Sequence, residues 1–485
     1  MNFNLRLKEM AVPLLGILLL AVALVIPNTL IAYAITLLLA LAALLKPKQG
    51  ILFLLIYFPL RSFLIEVNPA LKLIGDLIIV FAFLRVVWDA RKDWKSIFRF
   101  EVFEWAFIAF ILLGVISAFL SDVMTTAIIF QIRAFVIMFL LLYIVKRLDI
   151  TKQDILNFLY VTLFVTVVLI VQGLVEKMSL RTALMPESWV NRQLSANNRS
   201  RIYGLVNNPN VLAVYFTFTG LLIYYLKTML PKSKWQWVLN IILVVLAGTW
   251  ILTYSRGTWI AFAIALAIYF LFTRNWKFVL KTAVALGLGF ILITVPVTKT
   301  AHWVSSNTTV GDVERTGPAE PGESFAVEST RIKETFNTDT FEKSKTTGRL
   351  FIVYKGFEIF KDYPVIGTGF GTFGDSASKV YSSPYYSHYD VQFNIYSDNQ
   401  YIQVITQTGV VGVILFAVFL LGMLVLFWKG RKQSEKAIPL LAMLIAVYWC
   451  GFIYNIWEDK TFTLYFFILT GAFLAVTSKK TAAVK

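Results

Sequence analysis

Apolar residues gather along the chain into fourteen runs, each of about the length a helix needs to cross a bilayer core. They fall at about 11–27, 29–45, 50–65, 73–88, 104–120, 128–145, 154–174, 209–227, 236–253, 257–273, 277–297, 402–428, 437–456 and 460–477. The pattern predicts an all-α, polytopic membrane protein of about 12–14 transmembrane helices. Ala32-Tyr33-Ala34 resembles a signal cleavage site, but the apolar sequence continues to Leu45, well past the usual signal length, so both spans are retained. Two polar segments are long: 175–208 and 298–401. The chain therefore divides into a bundle over 1–297 that carries the loop 175–208, a large loop over 298–401, and C-terminal helices over 402–485.

The large loop has two characters. Residues 303–345 are rich in Thr, Ser, Glu, Gly and Pro with few apolar anchors, a composition that predicts mobility. From Arg349 a helical period returns, with Phe351, Tyr354, Phe357 and Ile359 expected on one face against membrane or bundle. Pro364 ends that helix, and Gly367, Gly369, Gly371 and Gly374 follow as an expected flexible bend. No strand precedes these glycines and no lysine follows them as in a phosphate loop, so a nucleotide site is not expected. Asp398 and Asn399 stand at the mouth of the next apolar run.

Charge then orients the spans. Of 45 Lys and Arg residues, 23 lie in loops that share one side if the spans alternate, whereas the short loops opposite carry only Arg61, Lys72, Arg256 and Lys460. By the excess of basic residues on the cytoplasmic side, both termini are cytoplasmic and the two long loops are outside. The net charge of +17 is this topology signal, and nucleic acid is not an expected partner. One cysteine, Cys450, and two histidines, His302 and His388, argue against an internal disulfide and a multi-histidine metal site.

The candidate chemistry is a set of arginines. Arg133 lies inside the sixth span, where a charge is costly and marks a function or a structural pair with a carboxylate such as Asp122 or Asp76. Arg201 precedes Gly204 and Asn207-Asn208-Pro209-Asn210, in which Asn208 suits a helix N-cap and Pro209 the first helical position. A helix starting there aims its free N–H groups toward Arg201, an anion site in principle. Arg256 sits in the turn Tyr254-Ser255-Arg256-Gly257, and Arg349 in the large loop. Four arginines from four segments near one face suit the bidentate binding of a diphosphate. Arg85, Glu104 and Lys281, at span edges on the opposite side, are expected to snorkel.

These motifs, in this order, resemble the O-antigen ligase and polysaccharide polymerase superfamily of bacterial envelopes. The resemblance covers about residues 130–420: Arg201-Ile-Tyr-Gly204, Asn208-Pro209-Asn210, Ser255-Arg256-Gly257, Arg349, Pro364-Val-Ile-Gly367-Thr-Gly369-Phe-Gly371, Asn399-Gln-Tyr401 and Gly409-Val-Val-Gly412. It implies a membrane-embedded fold like that of the C-type glycosyltransferases. It also implies an inverting, metal-independent transfer of glycan from an undecaprenyl diphosphate carrier to an acceptor hydroxyl outside the cytoplasmic membrane, with no cofactor. Arg201, Arg256 and Arg349 would bind the diphosphate, Arg133 would join them, and Asn208, Asn210 and Asn399 would line the substrate. Ligases of the family carry a histidine just before the asparagine matched by Asn399. Here that residue is Asp398, a carboxylate able to act as general base, with His388 as a replacement candidate. The departure favours a polymerase of exopolysaccharide or teichuronic type over a ligase acting on lipid A-core. The implied partners are the lipid-linked donor, a glycan or lipid-glycan acceptor, membrane lipid, and a flippase or chain-length regulator. A transporter of the same lipid-linked glycans is the rival of another class, although no internal repeat of the transporter kind is visible.

Overall fold

The structure is a computed structural model that describes residues 8–192, 194, 196–230, 235–310, 348–391 and 394–484. Among these residues the regular elements are all helical. Among the described residues, nine helices are long and apolar enough to cross a membrane, and four more are apolar but shorter. Most are apolar all round, as expected of helices whose surroundings are lipid or other helices. The described residues form two compact units, the first drawn from 1–86, 147–258 and 275–333 and the second from 87–146, 259–274 and 334–485.

The first unit contains α1 (Ala11–Val25), α2 (Thr29–Leu45), α3 (Pro47–Val67) and most of α4 (Ile74–Asp89). It continues with α7 (Lys152–Met178), α8 (Pro209–Met229), α9 (Trp235–Ile251) and α11 (Trp276–Asn307). α3 is its hub, buried without interruption from Gly50 to Pro59. α1 approaches so closely that a Cβ on Gly16 would lie 2.2 Å from the Phe53 ring. α11 runs ten residues beyond the span read from hydropathy, through a π turn at Phe290–Thr294. That turn lies where Gly289 meets Gly248 of α9, and Thr294 Oγ1 donates to the Gly248 carbonyl at 2.9 Å. The remainder of the expected mobile stretch, 311–345, lies outside the described residues.

The second unit contains α5 (Val102–Leu120), α6 (Thr125–Val145), most of α10 (Arg256–Thr273), α12 (Arg349–Asp362) and the short α13 (Ser376–Tyr381). It closes with α14 (Gln400–Gly430), α15 (Ala437–Cys450) and α16 (Lys460–Val484). α5 and α14 pack on each other through an aromatic core in which Phe107 stacks on Phe419 with centroids 4.3 Å apart. Phe370, from the glycine-rich segment, enters this core against Phe110 and Phe135. Glu104 does not snorkel: it is fully buried and pairs with Lys146.

Three readings of the large loop change here. α12 begins at Arg349 and stops before Pro364 as expected, but its buried face is Ile352, Gly356 and Ile359. Tyr354 and Phe357 point away, because Gly356 is the residue that lets α12 touch α14, where Thr406 Oγ1 donates to its carbonyl at 3.1 Å. The glycine-rich segment is no flexible bend. Residues 367–375 are buried, and Gly369 follows α5 so closely that a Cβ there would lie 2.0 Å from the backbone nitrogen of Ala118. Third, α14 is broken at Gly409, whose φ of 58° and ψ of −163° are not helical. The segment after Pro364 supplies what the break removes. Val410 N donates to Pro364 O at 2.8 Å and Val411 N to Val365 O at 3.1 Å. In return, Thr368 N and Gly369 N donate to the Thr406 and Gln407 carbonyls at 3.2 and 2.7 Å. Non-helical backbone at such depth persists only when its polar groups are paired in this way.

Candidate active site

In the first unit the site is built around Arg201. Asn208 is the N-cap of α8, its side chain accepting from Asn210 N and Val211 N, and Pro209 takes the first helical position. The preceding loop is fixed from α7. Glu176, fully buried, accepts from Tyr203 N at 3.0 Å, Gly204 N at 2.7 Å and Arg181 Nη1 at 2.5 Å. Lys177 Nζ donates to Ser200 O at 2.6 Å. Adjacent charges at the end of one helix thus clamp the backbone on both sides of Arg201. The guanidinium is then held by Thr253 O at 2.8 Å, Asn210 Oδ1 at 2.8 Å and Asn198 Oδ1 at 3.4 Å. Asn210 Oδ1 also accepts from Ser255 Oγ at 3.0 Å. This oxygen therefore joins Arg201 to the turn that ends at Arg256, the exposed first residue of α10. Tyr254 and Asn207, in the two turns beside these arginines, have φ of 48° and 56°, a region costly for residues with a Cβ.

In the second unit, Asp398 sits in a strained turn with φ of 45°, one residue before Asn399 caps α14 by accepting from Tyr401 N and Ile402 N. Arg349, exposed at the start of α12, donates to Ile453 O at 3.2 Å. Arg133 is half-buried on α6, two residues from the fully buried Gln131. His388 is exposed, its ring edge-on to Tyr389 with centroids 4.9 Å apart.

Beneath the Asp398 turn lies a buried polar network that the sequence reading missed. Glu458, between α15 and α16, accepts from Gln131 Nε2 at 2.7 Å, Gln403 Nε2 at 2.5 Å, Ser376 N at 3.1 Å and Ser376 Oγ at 2.6 Å. Burial, reinforced by the Asp375 charge, pushes its carboxyl from the ordinary 4.5 up to about 7. Asp375 accepts from Gln407 Nε2 and Gly371 N, each at 2.7 Å, and burial raises its carboxyl as well. Burial lifts the Tyr396 phenol well above its usual range, helped by the charges of Glu458, Asp398 and Asp459, so these carboxylates share one neighbourhood. The signal available in the sequence was Gln400, Gln403 and Gln407, polar residues spaced for one face of an apolar helix, with Glu458-Asp459 at the end of the next span.

The structure thus brings Arg201, Asn210 and the Arg256 turn together in the first unit, and Asp398 with Asn399 in the second. Comparison with known proteins adds one match. A family model described as O-antigen ligase matches residues 241–417, a range that contains Arg256, Arg349, His388, Asp398 and Asn399. Arg133, Arg201, Asn208, Asn210 and Glu458 fall outside it. A search of curated proteins finds no match. The match bears on ligase- or polymerase-type transfer of glycan in a membrane and leaves donor and acceptor open. Residues 241–417 of this multi-pass membrane chain are thus similar to the O-antigen ligase family.

Proposed function

We propose that the protein is an inverting glycosyltransferase that polymerises glycan from an undecaprenyl-diphosphate-linked oligosaccharide at the outer face of the bacterial cytoplasmic membrane. Both termini lie on the cytoplasmic side in this reading. The observation that carries it is the Arg201 cradle. A guanidinium held by Thr253, Asn210 and Asn198, close in sequence to a capped helix N-terminus, is suited to an anion rather than to a passing lipid headgroup. Arg201 and Arg256 hold the diphosphate, and Arg133 and Arg349 are substrate-binding residues in this reading. Asn210 orients Arg201. Asn208 and Asn399 contribute by fixing the turns they cap.

Asp398 takes the proton of the acceptor hydroxyl as the acceptor oxygen bonds to the anomeric carbon. The bond from that carbon to the phosphate oxygen breaks in the same displacement, which inverts the centre and needs no covalent intermediate. His388 serves the acceptor side. Neither metal nor cofactor enters the scheme. A carboxylate where the family's ligases carry histidine favours polymerase over ligase. A flippase or chain-length regulator would work beside it. The test is purified protein in liposomes with a lipid-linked oligosaccharide and no energy source. Longer lipid-linked glycans are expected, whereas movement of donor across the bilayer without chain growth would make the protein a transporter.

A further inference from the structure

We propose that Asn455 is a positioning residue for the Asp398 carboxylate, an inference that rests on Asp398 being the proton acceptor. Asn455 lies in the connection between α15 and α16, outside every motif discussed above, and its side chain is fully buried. One face of its amide serves the Asp398 turn, Oδ1 accepting from Ser397 Oγ at 2.8 Å and Asn399 N at 3.1 Å. The other face serves the glycine-rich segment, Nδ2 donating to Gly374 O at 2.8 Å. That same carbonyl accepts from Ser397 N at 2.9 Å. Both neighbours of Asp398 are therefore tied to a single amide, and Asp398 between them holds a left-handed φ of 45°.

The next residue is fixed from the same connection. Gln400 N donates to Gly451 O at 2.7 Å, and Gln400 Oε1 accepts from Trp457 N at 3.0 Å. Gly374 packs so closely that a Cβ on it would lie 2.5 Å from Ser397 Cβ. An arrangement that spends a buried side chain, a glycine and a neighbouring connection on one left-handed residue fits a carboxylate that must point in a set direction. A merely structural asparagine would satisfy the same backbone groups, so the two roles must be separated by measurement.

The experiment is a double-mutant cycle on chain elongation by the purified full-length protein, using Asn455→Ala, Asp398→Asn and both together. Loss of a general base costs about 10²–10⁴ in rate. Asn455→Ala is expected to lower kcat by about 10-fold to 100-fold, within that limit, with KM for the lipid-linked donor within about twofold. Added to Asp398→Asn, it should cause no further loss. Ser397→Ala removes one of the bonds and takes the place of Asn455→Ala in the cycle if that variant fails to accumulate. Wild-type kcat in Asn455→Ala, or losses that multiply in the double variant, would overturn the positioning role while leaving Asp398 in place. Wild-type kcat in Asp398→Asn would instead remove the base assignment, and this inference with it.

Discussion

Replacing Gly369 by alanine tests whether the glycine-rich segment is a built part of the second unit. The new Cβ would lie 2.0 Å from Ala118 N and 2.2 Å from Ala118 Cα, backbone atoms of α5 that no rotamer change can move aside. Its φ of +90° also lies where L residues are strained. Strain of roughly 1–2 kcal/mol and overpacking of roughly 1–3 kcal/mol together predict a loss of about 2–5 kcal/mol. Relief requires the segment to move off α5, which breaks the bond from Phe370 N to Gly114 O and disturbs that from Gly369 N to Gln407 O. Cys450, the sole cysteine and buried, supplies the assay through its reaction with a thiol-sensitive dye as the detergent-solubilised protein is heated. The midpoint should fall by about 5–10 °C, with glycan synthesis reduced. Gly287→Ala is the control, because a Cβ there meets nothing within 4 Å. Equal melting of Gly369→Ala and wild type would refute the packed segment and restore a flexible bend.

Three further outcomes follow from the same geometry. Because folding raises the Glu458 carboxyl from 4.5 to about 7, the folded state holds this proton longer than the unfolded one. Its stabilising contribution is present below about pH 4.5 and is lost as pH rises to about 7, by at most on the order of 3 kcal/mol. Melting midpoints of the wild type should therefore fall from pH 5 to pH 8 more steeply than those of Glu458→Gln, and parallel curves would contradict this. Arg201→Lys should lose most polymer formation at normal protein level, since an ammonium cannot meet Thr253 O and Asn210 Oδ1 while presenting a fork to phosphate; full activity would make Arg201 a headgroup contact. A cysteine at the exposed Ser387 should react with an impermeant reagent from outside the cell and one at Ser434 should not; labelling at Ser434 would reverse the orientation.

What the sequence made legible was local. Asn208 before Pro209, Pro364 after α12 and Asn399 before α14 announce themselves within a few residues, because a cap or a helix stop is satisfied by its immediate neighbours. The apolar runs were legible for the same reason. Glu458 was not, since its partners Gln131, Ser376 and Gln403 lie 327, 82 and 55 residues away in sequence. The outward placement of Tyr354 and Phe357 was hidden because a glycine, invisible to a hydrophobic period, chose the contact face of α12. The glycine-rich segment was misread on composition. Positive φ and close backbone approach demand the same residue that flexibility does, and only the neighbouring α5 and the broken α14 tell them apart.

The break at Gly409 also bears on how the chain is made. A continuous transmembrane helix closes its own backbone bonds as it enters the bilayer and needs no other segment. α14 does not have that independence, because Val410 N and Val411 N depend on the carbonyls of Pro364 and Val365. Those carbonyls are synthesised first, so the segment that carries them already exists when residues 400–430 are made. The full backbone bonding of this helix is therefore conditional on that segment. A lesion in the glycine-rich segment is expected to loosen a helix whose own sequence and hydropathy are unchanged.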